Sequence, residues 1–173
     1  MQDLEIRESL PGDRASIETL YPAAFPDEDL LPLVGELLAA GPAVLSLAAS
    51  DGPQLVGHAV FTTCSVDNGP DAVALLGPLA VAPARQRQGI GSALVRAGLE
   101  RLEADGIKQV YVLGDPNYYG RLGFRPDTAV APPYPLPQEW REAWQSLSLG
   151  NAEPLHGTLS VPQPWRQPAL WAP

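Results

Sequence analysis

The sequence predicts a mixed α/β fold, with elements in the order β-α-α-β-β-β-α-β-α-β. Three observations carry that prediction. Short apolar runs are bounded by Gly, Pro, Asp and Asn turns, as strands are. Apolar residues recur at helical spacing in three other segments. One long apolar run passes through a polar, glycine-bearing loop directly into a helix.

Taken in order, Leu4–Glu8 alternates apolar and charged residues and reads as a short strand. Pro11-Gly12-Asp13 is a turn, with Asp13 placed to cap a helix carrying Ile17, Leu20, Tyr21 and Ala24. Asp27 is placed to cap a second helix, with Leu30, Leu31, Val34, Leu37 and Leu38 on its apolar face and Gly41-Pro42 ending it. Residues 43–49 and 54–63 form a hairpin about Asp51-Gly52-Pro53. After the turn at Asp67-Asn68-Gly69-Pro70, residues 72–81 form a long apolar strand, bent near Gly77-Pro78 and buried on both faces. Residues 82–88 are a loop, and 90–104 a helix with Ile90, Leu94, Ala97 and Leu102 inward and Gly106 closing it. A strand over 109–113, a turn at Asp115-Pro116-Asn117, a short helix over 118–122 and a last strand from Phe124 complete the order.

From Ala131 the composition changes: nine of the last 43 residues are proline, and Trp140, Trp144, Trp165 and Trp171 all lie there. Disordered tails are poor in aromatics. The expectation is a domain over residues 1–130 and an ordered arm over 131–173 packed on it, with a helix over 139–147. Besides simple packing, the arm is a candidate wall for a substrate pocket or a homodimer face.

The 173 residues suffice for one domain with its own core. No apolar run approaches the ~18 residues of a membrane span, so no membrane partner is expected. Met1-Gln2-Asp3-Leu4-Glu5 has neither a basic nor an apolar leader segment, so no signal peptide is expected. With one cysteine, Cys64, no internal disulfide can form, and a cytoplasmic location is expected. The net charge of −9 argues against nucleic-acid binding. The charge is uneven: residues 1–80 hold twelve acids and two bases, whereas 81–130 hold seven bases and five acids. No His, Cys and Asp cluster has metal-ligand spacing, so no metal is expected.

The loop before the third helix carries the chemistry. Helix N-termini present unpaired N–H groups and a partial positive charge, which a diphosphate satisfies. Gly89 and Gly91 let the backbone approach phosphates closely, and Arg85 and Arg87 can add charged contacts. No Gly-Lys-Ser/Thr follows, and Leu94 stands where a dinucleotide fingerprint needs its third glycine.

Gln86-Arg87-Gln88-Gly89-Ile90-Gly91 resembles the Q/R-x-x-G-x-G/A signature of the GNAT superfamily of N-acetyltransferases. About thirty residues on, Tyr118-Tyr119-Gly120-Arg121-Leu122-Gly123-Phe124 resembles its second signature. Gly57-His58, Gly77-Pro78-Leu79 and Tyr118–Arg121 look like the YhbS-like group within it.

The resemblance implies a mixed central sheet with two splayed strands, flanked by helices. It implies acetyl-CoA as acyl donor and an amine of a small molecule, peptide or protein as acceptor, joined by direct attack. A GNAT-like module that holds acyl-CoA without catalysis is the alternative. The implied cofactor contacts are Leu79, Ala80 and Val81 along the pantetheine, and Gln86, Arg87, Gln88, Gly89, Ile90, Gly91 and Ser92 at the diphosphate. Tyr119 stands at the family's general-acid position. A thiol pKa of about 8.5 means that the departing thiolate leaves better if protonated. An alkyl amine, with a pKa near 10.4, must also lose a proton. His58 is a candidate base, against its reading as a hydrogen-bonded core residue, and Glu36 and Asp29 are further candidates. Cys64 has no matched partners for a nucleophile, and Asp115-Pro116-Asn117 departs from the longer N-x-x-A spacing of many relatives.

Overall fold

The computed structural model describes residues 4–172. Met1–Asp3, part of the stretch read for a leader, and Pro173 lie outside the described residues. The chain folds as two compact units, one formed by residues up to Phe61 with Gly77–Gly98, the other by Thr62–Leu76 with residues from Leu99 on.

In the first unit, strand β1 (Leu4–Glu8) pairs antiparallel with β2 (Val44–Asp51), from Leu4↔Asp51 to Glu8↔Leu47. A tight turn at Gly52 (φ +61°) returns the chain into β3 (Gln54–Val66), beside which runs β4 (Val73–Val81). Helix α1 (Arg14–Ala24) buries Ile17, Leu20 and Tyr21, and α2 (Leu31–Leu38) buries Leu33, Val34 and Leu37. Ile17, Leu20, Tyr21 and Val34 close over Ala80 of β4 as one cluster. Helix α3 (Ile90–Ala104) begins in this unit, and two glycines set how near it lies to the sheet. A Cβ on Gly57 of β3 would stand 3.0 Å from both Ile90 Cγ2 and Leu94 Cδ1, and one on Gly98 would overlap the Phe61 ring.

Two expected caps differ. Asp13 precedes α1 but makes no side-chain cap bond; its carboxylate takes Arg7 Nη1 at 2.7 Å, Arg7 Nη2 at 3.0 Å and the Leu10 N–H at 2.7 Å. A guanidinium fork outcompetes a single amide for a carboxylate. Asp27 caps nothing, because α2 starts four residues later, where Pro32 sits in its first turn. The helix ends at Leu38, and Gly41-Pro42 opens a separate 3-10 turn.

In the second unit, β4 pairs parallel with β5 (Gln109–Leu113) from Ala74↔Val110 to Leu76↔Val112. Gly77 (φ +151°) and Pro78, which has no N–H to give a ladder, follow at once. Helix α4 (Pro116–Gly120) leads to β6 (Arg125–Pro126) and β7 (Val130–Ala131). The arm adds two strands that the sequence reading did not contain, β8 (Trp144–Ser148) and β9 (Gly157–Ser160). β8 lies antiparallel between β5 and β6, while β9 pairs with the end of β3 and with β7.

The helix expected over 139–147 is therefore corrected: 138–143 is a 3-10 turn, and the strand begins at Trp144. The four-residue interval between Trp140 and Trp144 mimicked a helical period. Pairing along the whole of β5 decides instead. Trp144 stacks on Tyr111 at 5.6 Å and donates from Nε1 to the Val130 carbonyl at 2.7 Å. Trp171 meets Trp144 and Trp165 at 5.8 and 5.9 Å and donates to the Trp165 carbonyl. Trp165 donates to Thr62 Oγ1 at 3.2 Å, so three of the arm's tryptophans are hydrogen-bonded core residues of this unit. Trp171→Ala is expected to destabilise the protein by about 3–5 kcal/mol, the usual cost of emptying a buried aromatic site. Denaturant unfolding followed by circular dichroism checks this.

Candidate functional site

The loop between β4 and α3 opens with a 3-10 turn at Pro83–Arg85 and then reverses its hand twice, at Arg87 (φ +63°) and Gly89 (φ +85°). Any side chain at position 89 would be strained, although nothing lies within 4 Å of where its Cβ would go. The first bond of the α3 ladder is Ala93 N–H to the Gly89 carbonyl, at 3.0 Å. Helix geometry directs the N–H groups of the first turn ahead of it out of the helix end. Gln86 folds back and donates from Nε2 to the Val81 carbonyl at 3.1 Å, tying the loop to the strand that feeds it. Leu79, Ala80, Val81 and Gln86–Ser92 thus come together in one unit.

The side chains divide the labour. Ala80 and Ile90, each 1% exposed, turn inward and leave only backbone for a ligand. The Arg85 guanidinium pairs with Asp51 at 2.9 Å and donates to Gln88 Oε1 at 3.2 Å, so it is engaged within the loop. Arg87 is exposed and makes no ion pair among the described residues. Of the two expected phosphate cations, Arg87 is the one not held by an acid.

Tyr119 belongs to the second unit, on α4. Asp115 caps that helix by accepting the Asn117 N–H at 2.9 Å, which is the local role of the shortened Asp-Pro-Asn turn. The Tyr119 ring lies over Gly114, where a Cβ would stand 2.5 Å from its Cε2. Its edges meet Tyr118 and Phe124 at ring distances of 4.9 and 5.7 Å. Gly123 (φ +104°) makes the turn that sends Phe124 into the core. Burial, then the neighbouring Tyr118 and Asp115, raise the Tyr119 hydroxyl above the ordinary tyrosine range and keep it protonated. That hydroxyl makes no hydrogen bond among the described residues. A neutral phenol is a group that can give up a proton to a departing thiolate.

The sequence pattern of the Acetyltransferase (GNAT) family matches residues 14–124. The uncharacterized N-acetyltransferase YjhQ of Escherichia coli K12 is 37% identical over 152 residues, covering 83% of each chain. The E. coli YhbS structure, solved with CoA, superposes with a TM-score of 0.86 at 26% identity, covering 95% of this chain and 93% of that one. A Brucella melitensis GNAT acetyltransferase solved with acetyl-CoA gives 0.77 at 30% identity, over 95% and 99%. The chain belongs to the acetyltransferase (GNAT) family. Its fold is the GNAT fold, and its reaction class is that of an N-acetyltransferase (EC 2.3.1.-) with acetyl-CoA as donor.

Within this GNAT domain, His58 is not placed as a base. It is fully buried, with Nδ1 against Tyr21 Oη and Nε2 against Ser46 Oγ, both at 2.7 Å. Ser46 in turn meets Ser9 Oγ at 2.6 Å. Both ring nitrogens are thus committed to holding α1 and two strands together. Cys64 is likewise inert: burial pushes its thiol up to about 12, and it donates to the Thr62 carbonyl. Among the described residues no group of His, Cys, Asp or Glu is arranged to hold a metal. Gly114, beneath the Tyr119 ring, and Gln145, which donates to the Gly114 carbonyl, lie outside both signatures. Gly114 was legible as a glycine closing a strand, whereas an isolated glutamine in Trp-Gln-Ser carries no signal.

Burial lowers the His58 imidazole from 6.5 to about 4. The unfolded chain therefore binds this proton first. The contribution is complete above pH 6.5 and is lost as pH falls toward about 4. We expect a loss of about 3 kcal/mol at most across that window. A His58→Gln variant should lack this part of the acid slope when unfolding is measured at several pH values.

Proposed function

We propose that this protein acetylates an amine by direct attack on acetyl-CoA, with the diphosphate held at Gln86–Ser92 and Tyr119 as the general acid. The observation that carries this is the left-handed backbone at Arg87 and Gly89, which opens the first turn of α3 toward an anion. Arg87 adds a side-chain cation, and the backbone of Leu79–Val81 offers strand hydrogen-bonding groups to the pantetheine amides. The relatives solved with CoA and acetyl-CoA support the same donor.

The chemistry follows from the charges. The amine nitrogen attacks the thioester carbon, forming the C–N bond, and the negative charge moves to the carbonyl oxygen. As the C–S bond breaks, the sulfur takes the Tyr119 proton and leaves as the thiol. A phenol held above its ordinary pKa is fully protonated at neutral pH, so every enzyme molecule carries the donor. His58 being committed to the core, the acceptor enters as its neutral fraction; its nitrogen sheds a proton to solvent once the C–N bond has formed, and the Tyr119 phenolate takes one back from solvent.

We place residues 1–130 as the catalytic part and 131–173 as a structural arm. The family match ends at residue 124, and the arm's Trp144, Trp165 and Trp171 are buried. We place the protein in the cytoplasm, on its single buried thiol and on the absence, among the described residues, of a helix long and apolar enough to cross a membrane.

Tyr119→Phe is expected to lower kcat by about 10²–10⁴-fold while leaving the KM for acetyl-CoA nearly unchanged. Steady-state assays of thiol release with a panel of amines read this directly. An unchanged kcat removes Tyr119 from the acid role, and tight CoA binding without turnover on any amine identifies a binding module instead.

A further inference from the structure

Gln145 stands in β8, 1% exposed, beside the buried Trp144. Its Nε2 donates to the Gly114 carbonyl at 3.1 Å and lies 3.3 Å from the Ala143 carbonyl. Its Oε1 is buried and has no hydrogen-bond partner among the described residues. The amide cannot be turned over, because that would press the oxygen against two carbonyls. A buried acceptor left unpaired is costly, and a leucine would fill the same space without that cost. The other end of this amide must therefore hold something that an apolar residue could not.

What it holds is the floor beneath Tyr119. Gln145 pairs with Val112, so its side chain shares a sheet face with Val112 and, two residues on, with Gly114. Leu147 is on that face too, and a Cβ on Gly123 would stand 3.2 Å from Leu147 Cδ1. The segment from Tyr119 to Gly123 thus covers the face from which Gln145 projects. Gly114 is where β5 gives way to the turn that launches α4, and its N–H is held by the Ala143 carbonyl at 3.0 Å. Its carbonyl takes the Gln145 amide. The Tyr119 ring then lies directly on this residue, with no room for a methyl group.

We propose that Gln145 is a positioning residue for Tyr119: by pinning the Gly114 carbonyl it fixes the height and tilt of the surface on which the phenol lies, and so the place of the transferable proton. This rests on the acid role of Tyr119, through which Gln145 acts without touching either substrate. Misplacing a reacting group by a fraction of an ångström is enough to slow a proton transfer without disturbing binding elsewhere.

A double-mutant cycle tests it. Gln145→Leu is expected to lower kcat about tenfold and to leave the KM for acetyl-CoA within about twofold. Made on top of Tyr119→Phe, it should cost nothing more, since the group it positions is gone. Gln145→Glu is the conservative variant. Its introduced carboxyl, protonated in the buried site, can still donate to Gly114. Activity should approach that of the parent at low pH and fall as pH rises and the carboxyl ionises, only while Tyr119 is present. A folded Gln145→Leu protein with the parent's kcat overturns the proposal. So does an equal loss in both backgrounds, which is the signature of general disturbance. Should Gln145→Leu not fold, a Gln145→Glu profile identical in shape to the parent's overturns it. If Tyr119→Phe alone keeps full kcat, the acid reading fails and this one with it. A slow Tyr119→Phe enzyme in which Gln145→Leu still costs a further tenfold overturns the positioning alone.

Discussion

A helix that is entered through left-handed backbone has to be anchored by what lies around it. That requirement organises the first unit. The turn at Arg87–Gly89 takes left-handed backbone, and the ladder of α3 begins only at Ala93. The compensating hold is immediately beneath. Ile90 and Leu94 press onto Gly57, and Phe61 occupies the space that a side chain at Gly98 would need. Gln86 ties the loop to Val81, and Arg85 ties it to Asp51. Arg87 remains exposed, a cation suited to the diphosphate proposed to bind here.

The buried His58 and the half-buried Tyr119 are two titratable groups with different surroundings. His58 and Tyr119 are both shifted by burial, and burial favours the neutral form of each. For His58 that form is hydrogen-bonded at both nitrogens, so neutrality serves packing. For Tyr119 the neutral form carries a proton that no group among the described residues accepts, which suits the donor role proposed for it. The difference lies in partners rather than in the direction of either shift.

The sequence was most legible where local rules and tertiary structure agree. Helix α3 and strand β5 stand at their expected bounds, 90–104 and 109–113, because apolar period, glycine stop and turn chemistry all pointed one way. The two family signatures were legible because they are contiguous. Strand β8 was not, since its partner β5 lies over thirty residues away and the local Trp140–Trp144 interval suggested a helix. The Asp13 cap failed for a similar reason: the arginine that claims its carboxylate sits on a preceding strand. Gln145 was invisible, because its meaning is the Gly114 carbonyl it meets across the sheet.

The proposed function stands on the opening of α3 binding the diphosphate of coenzyme A. Calorimetric titration of the protein with acetyl-CoA, CoA and ATP, beside a Gly89→Glu/Gly91→Glu variant, addresses it most directly. Both CoA ligands are expected to bind in preference to ATP, and the folded variant to lose that binding. Failure of a well-folded protein to bind CoA, or undiminished binding by the variant, would contradict it.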